Sequence, residues 1–236
     1  MTNMDFGNLD LFYSKYYDLV LRAGFIGAAQ NRTHAAMEKK WSKNVFFEKV
    51  LEVGAGTGDH RKFVKHGYKD YFETDIRFTG LPEIIETHPN RNEHNQRVIR
   101  EFADVTHLDY RTSSFDRVVV TCLILHLEEP ERALEEIRRV CKKDSGVISI
   151  LVPCEPGLLL RFSRAILTSR KAKKLGFSGY NLFNARDHKN YLSSVDTIID
   201  WVYRDDTIVC TRLPFRWPSW NFNLYYIYTI TRGQNE

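Results

Sequence analysis

The sequence is poor in cysteine and has no C-x-x-C pair: Cys122, Cys141, Cys154 and Cys210 stand far apart, three of them in apolar stretches. That excludes a zinc ribbon and a disulfide framework, and it fits reduced core residues of a cytoplasmic protein. No apolar run is long enough to span a bilayer. Met1 to Gly7 hold neither the basic stretch nor the apolar one of a secretion signal. An excess of charge of one sign is missing too. With 34 Lys and Arg against 30 Asp and Glu the formal charge is +4, which disfavours nucleic acid or any large polyanion as substrate. Repeats and low-complexity tracts are absent. What remains is a chain of 236 residues, long enough for a single domain over 1–236 with a sizeable core. Its aromatic residues gather near the two ends, where a small-molecule pocket would be completed.

The informative stretch is Val50 to Gly58, Val-Leu-Glu-Val-Gly-Ala-Gly-Thr-Gly. An apolar run ends in glycines at alternate positions, Gly54, Gly56 and Gly58. This predicts a buried strand, a tight turn whose backbone a ligand can approach closely, and then a helix. A dinucleotide fingerprint wants a small residue one place after Gly58, where Asp59 stands. About twenty residues on, Tyr71 to Asp75 reads as a second strand ending in a carboxylate, placed to accept hydrogen bonds from both ribose hydroxyls of an adenosine; the alternative is a helix N-cap.

The G-x-G-x-G spacing, with Glu52 two residues ahead of it, resembles motif I of class I S-adenosylmethionine-dependent methyltransferases. The resemblance extends from Tyr17 to Val152. Tyr17-Asp18 is similar to a pair that closes over the cofactor in the N-terminal helix of small-molecule members, though a packing stripe of Phe12, Tyr13, Tyr16 and Tyr17 explains it as well. Phe102-Ala103-Asp104-Val105 resembles the segment whose acid accepts the adenine amino group; an Asx-turn is the other reading of Asp104. Leu127-x-x-Pro130, followed by Leu134-x-Glu136-x-x-Arg139-Val140, looks like the ubiquinone/menaquinone-biosynthesis branch, but Cys141 to Gly146 lacks the proline and one of the glycines usual there.

The resemblance implies an α/β fold, a doubly wound, mostly parallel seven-stranded sheet. It divides the chain into an N-terminal helical cap (1–44), a cofactor half (45–152), and a lid insert with C-terminal antiparallel strands (153–236). Helices are expected at 9–20, 30–41, from Thr57 or Asp59 toward His66, at 81–88, 130–142, 156–174 and 187–202. The implied cofactor is S-adenosylmethionine. It would be held by Tyr17, Glu52, Gly54, Ala55, Gly56, Gly58, Asp75, Ile76, Asp104, Val105, Thr121 and Cys122. Transfer to a small-molecule acceptor is expected, O-methylation ahead of N-methylation, by a monomer or homodimer.

A hydroxyl acceptor benefits from a base, and an imidazole ordinarily titrates near neutrality. His126, shortly after the fourth strand, is the first candidate, and His188, from the lid side, the second; a turn histidine satisfied locally is the plain alternative for His126. No metal-ligand spacing is visible. His88, Glu93 and His94 sit in or beside a polar loop and match no standard site. Thr121-Cys122-Leu123-Ile124 lacks the tetrapeptide of base-amino methyltransferases. Thr121-Cys122 and Pro153-Cys154 reverse the order found in cytosine-C5 enzymes of RNA. Two alternatives stay open: an RNA or protein methyltransferase using the basic segment Arg161 to Lys174, and a binding module without catalysis.

Overall fold

The structure, a computed structural model, describes residues 12–78, 82–88 and 96–233. Its centre is an eight-stranded sheet: β1 (Phe46–Val53), β2 (Gly67–Asp75), β3 (Glu83–His88), β4 (Gln96–Phe102), β5 (Arg117–Thr121), β6 (Val147–Pro153), β7 (Thr207–Pro214) and β8 (Asn223–Thr231). The order is β3-β4-β2-β1-β5-β6-β8-β7. The five central strands run parallel, while β3, β8 and β7 are joined antiparallel. The parallel strands read as they must when both faces are covered. Val118, Val119 and Val120 of β5 and every residue of β6 are buried.

The covering is divided by strand alternation. Leu51 and Val53 of β1 face one cluster, filled by Ala133, Leu134, Ile137 and Val140 of α2 (Pro130–Val140) and by Leu192, Val195, Ile199 and Val202 of α6 (Leu192–Val202). Val50 and Phe47 face the other, with Met37 at the end of α1 (Gly24–Met37) and Trp41. α2 carries a clean apolar stripe and a proline in its first turn, so it begins and packs as its sequence dictates.

Three sequence expectations change. The segment 81–88 is not a helix: Glu83–His88 is an edge strand antiparallel to β4, which raises the sheet from seven strands to eight. Ile84, Ile85 and Thr87 are β-branched, and an open edge of β4 offers them partners. Nor does a helix follow the glycine turn. β2 already starts at Gly67, leaving 54–66 to return along β1, and a helix would need roughly 17 residues at ~1.5 Å each to retrace about 26 Å of strand. The chain makes only a 3₁₀ turn at Arg61–Phe63. The helix expected at 187–202 begins only at Leu192, as α6, and a separate helix, α5 (Tyr180–Asp187), precedes it where a loop over 176–183 is the expectation.

The N-terminal segment forms two π-helical turns, Phe12–Tyr16 and Asp18–Arg22, before α1. The expected helix over 156–174 is present as α3 (Leu158–Ser163), a π-helical turn (Arg164–Thr168) and α4 (Ser169–Lys174). Phe12, Tyr16 and Val20 pack with Ala172, Phe177, Tyr180 and Phe183, so the N-terminal segment and the insert after β6 meet in one aromatic cluster. Glu93, His94 and most of the polar loop lie outside the described residues. Among the described residues no helix is long and apolar enough to cross a membrane.

Candidate cofactor and acceptor site

A cavity of about 630 Å³ opens at the carboxyl ends of β1, β2, β5 and β6, where open α/β sheets bind ligands. β1 ends and the chain turns at Gly54, with φ +66°. The positive φ favours glycine, and a Cβ there would lie 2.8 Å from a Leu123 methyl, which would have to move aside. The turn is tied to the end of β2. Ala55 N–H donates to Thr74 O (2.9 Å) and Gly56 N–H to Asp75 Oδ2 (3.0 Å). Gly58 plays a different part: a Cβ there would sit 2.6 Å from the Glu73 carboxylate, which Arg61 and Arg100 hold from either side. It supports the turn and is not among the residues lining the cavity.

Tyr17, Glu52, Gly54, Ala55, Gly56, Asp75, Ile76, Thr121 and Cys122 all line this one cavity. Glu52 is fully buried. One carboxylate oxygen accepts from Tyr71 OH (2.7 Å), and the other has no partner among the described residues. Burial pushes its pKa up to about 7. An orphaned buried carboxylate oxygen beside a glycine cradle fits a ligand with a cationic group and a chain laid along the backbone, which is the amino-acid end of S-adenosylmethionine.

Asp75 closes β2 with its carboxylate at the cavity. Burial alone would raise its pKa. The Arg77 side chain and backbone N–H, then the Gly56 N–H, outweigh it and hold the carboxyl below its ordinary value. Replacing Asp75 with alanine is expected to weaken S-adenosylhomocysteine binding by about 2–4 kcal/mol, the worth of two charge-assisted hydrogen bonds. Calorimetric titration reads this directly, and an unchanged affinity would remove Asp75 from the ribose contact.

Asp104 and Val105 are not brought to the cavity. Asp104 is exposed, and its carboxylate accepts from the Thr106 hydroxyl (2.7 Å) and backbone N–H (2.9 Å), an Asx-turn. Val105 is buried in the core. Cys122 has φ +55°, and burial pushes its thiol up to about 12, so it lines the wall as a neutral group.

The opposite wall is built by the turn after β5 and the segment after β6. His126 ends a 3₁₀ turn (Ile124–His126) just past β5. Its Nδ1 lies 3.1 Å from the carbonyl oxygen of Asp187 and 3.2 Å from that residue's Oδ2, which also accepts from Tyr13 OH (2.8 Å). His188 packs edge-on against His126 with ring centroids 4.8 Å apart, and its Nδ1 is hydrogen-bonded to the buried Glu155 carboxylate. Glu155 also takes Arg164 and the Asn184 amide (2.9 Å). Burial, and then the neighbouring His126, push the His188 pKa down to about 3, so at neutral pH it is a neutral donor to Glu155 and a poor proton acceptor.

No sequence spacing pointed to a metal, yet His126, Asp187 and His188 bring ligand-capable atoms within 4.8 Å of one another. Each already has a hydrogen-bond partner, His126 with Asp187 and His188 with Glu155, and the two imidazoles meet only by edge-on packing. Asp187, Glu155 and Tyr13 were missed as site residues. The one signal for Glu155 is an acid alone between Pro153-Cys154 and Pro156, directly after a buried strand.

Residues 51–149 match the methyltransferase domain family. Over 108 residues the chain is 30% identical to a phosphatidylethanolamine N-methyltransferase of Cereibacter sphaeroides, an alignment covering 43% of this chain and 49% of that protein. The chain thus spans about half the length of the curated relative it matches. Among the solved structures that share its fold are two with a bound nucleoside. One is phosphoethanolamine N-methyltransferase 2 of Haemonchus contortus in complex with S-adenosylmethionine (TM-score 0.58, 12% identity, 96% of this chain and 60% of that one). The other is 1,6-didemethyltoxoflavin-N1-methyltransferase of Burkholderia thailandensis with bound S-adenosylhomocysteine (TM-score 0.56, 17% identity, 95% and 86%). The matched domain and the fold are those of an S-adenosylmethionine-dependent methyltransferase, and the two solved structures carry S-adenosylmethionine and its demethylated product, S-adenosylhomocysteine.

Proposed function

We propose that the protein methylates a small-molecule acceptor at a hydroxyl whose proton passes to His126. The observation that carries this reading is the His126–Asp187 pair at the wall of the cofactor cavity. With Nδ1 turned to Asp187, Nε2 is the nitrogen left to take a proton, and Asp187 steadies the imidazolium that forms. Tyr13 fixes Asp187, while His188, anchored on Glu155, fixes the ring edge of His126. When bound, S-adenosylmethionine supplies an electrophilic methyl on its sulfonium. Glu52 and the glycine turn would hold its amino-acid end, Asp75 its ribose, and Tyr17, Ile76, Thr121 and Cys122 the remaining wall. The protein's share is then positioning, proton removal and exclusion of water. The segment 154–188 is read as the lid, since Leu160, Ser163, Arg164, Tyr180 and Phe183 line the cavity.

An amine acceptor is the second reading. It is favoured by the aromatic walls Phe12, Tyr13, Tyr17 and Phe183, which suit a cationic centre, and by the names of the three relatives. Methyl-labelled S-adenosylmethionine offered with matched hydroxyl and amine acceptors separates the two. Label on the hydroxyl member of a pair supports the first reading; label only on amines overturns it.

A further inference from the structure

One surface is unaccounted for by the site. Leu158, Phe162, Phe215, Trp217, Trp220 and Phe222 are all exposed, Phe162 by 65% and Trp217 by 59%. They come from two segments that meet. The Leu158 backbone N–H donates to Asn221 Oδ1 (3.2 Å), and a Cβ on Gly157 would lie 2.6 Å from the Trp220 carbonyl oxygen. The Trp217 and Phe222 rings lie 5.3 Å apart. On α3, Leu158 and Phe162 are one turn apart on the face that holds the exposed Arg161, while Leu160, Ser163 and Arg164 line the cavity. A cluster of this size and aromatic content on a surface marks a contact.

The charge around it is one-sided. From Pro156 to Arg186 there is no Asp or Glu, though the chain has 30 of them, and from Thr207 to Asn235 there is again none. Arg161, Arg170, Lys173, Lys174 and Arg216 are exposed on these segments. Asp18, carried by the N-terminal segment that Lys171 touches, is paired with Arg22 at 2.9 Å. Arg161 stands beside Phe162 on α3 and Arg216 between Phe215 and Trp217; exposed aromatic and aliphatic side chains with cations set among them are what an anionic bilayer surface takes up, rings and aliphatics entering the headgroup boundary and cations meeting the lipid charge. A second copy of the chain fits less well, because a two-fold contact would set these cations against themselves. RNA fits less well too, since Leu158 gives no ring on which a base could stack.

We propose that this face, formed by α3 and the connection between β7 and β8, docks the protein peripherally on an anionic membrane surface. Docking would set α3, which also lines the cavity, at the lipid boundary, so the cavity would be filled from the membrane side. The proposal does not depend on which atom is methylated.

The test is co-sedimentation of the full chain with vesicles of phosphatidylcholine alone or in equal parts with phosphatidylglycerol. The expected result is binding to the anionic vesicles only, weakened by added salt, with a blue shift of tryptophan emission. Phe162→Glu and Trp217→Glu should each lower that binding by about tenfold or more. Both side chains are exposed, so circular dichroism and S-adenosylhomocysteine titration should return wild-type values and show that the variants fold. Failure of the wild-type chain to bind anionic vesicles overturns the proposal, as does full binding by both variants. Self-association abolished by the same variants, or retention of single-stranded RNA by a chain indifferent to vesicles, would assign the face to another occupant and overturn it equally.

Discussion

Replacing His126 with alanine is expected to slow turnover on a hydroxyl acceptor by ~10²–10⁴-fold while leaving S-adenosylhomocysteine affinity at its wild-type value. The split follows from the position of the residue. His126 stands on the lid-side wall with Asp187 and His188, whereas Glu52, Gly54 and Asp75 stand on the sheet side. A base that meets only the acceptor contributes to proton removal and not to cofactor binding, so the loss should appear in kcat. Added imidazole should restore part of the rate, because the variant leaves a space of that shape. Asp187→Asn should cost less than His126→Ala: an amide still accepts from Tyr13 but no longer steadies an imidazolium. Full turnover by His126→Ala on the true acceptor would return His126 to a structural role and leave the amine reading in place.

The parts of this site that were legible in the sequence are those written locally. The glycine turn, Glu52 and Asp75 sit within one strand–turn–strand unit, and their spacing together with the resemblance it carries placed them together. Thr121 and Cys122 followed from a buried strand whose end was plain. Asp104 was placed by its order after a strand, but the structure uses its carboxylate to close a turn with Thr106, a competing local bond that the order of motifs does not reveal. The partners of His126 were out of reach for another reason. Asp187 is 61 residues away in sequence, and only the course of α5 brings it back. The segment 83–88 misled because Pro82 suits a first helical turn, while the open edge of β4 decided the outcome. Arg117 too depends on a contact distant in sequence. A charge inside a valine-rich strand needs a counter-charge, and the residue is fully buried because its partner arrives from the end of α1.

That partner, Glu38, carries the largest expected effect on stability. Arg117 donates to both Glu38 oxygens, at 2.8 and 2.5 Å, and His60 Nε2 lies 2.9 Å from Oε1. All three side chains are inaccessible to solvent. Burial opposes the charge on Glu38, yet His60 and Arg117 hold its pKa down at about 2. Replacing Glu38 with alanine leaves a buried guanidinium without its counter-charge, which costs about 3–5 kcal/mol, a large share of a domain's ~5–15 kcal/mol. The expected drop in melting temperature is about 6–20 °C for a chain of this length. Replacing the pair together, Glu38→Leu with Arg117→Met, should cost far less, because no charge is then stranded. The sign of the pH dependence follows from the depressed pKa. The contribution is complete above the ordinary carboxylate range and is lost as pH falls through about 2, so the alanine variant should lose less stability than wild type over that acid range. Urea titrations of the two single variants and the double variant close the cycle. Single replacements no worse than the double would mean that the pair contributes nothing to anchoring α1. Because His60 and His34 also line the cavity, and their Nδ1 atoms lie 2.9 Å apart, loosening α1 should weaken cofactor binding as well, without any residue of the glycine turn having changed.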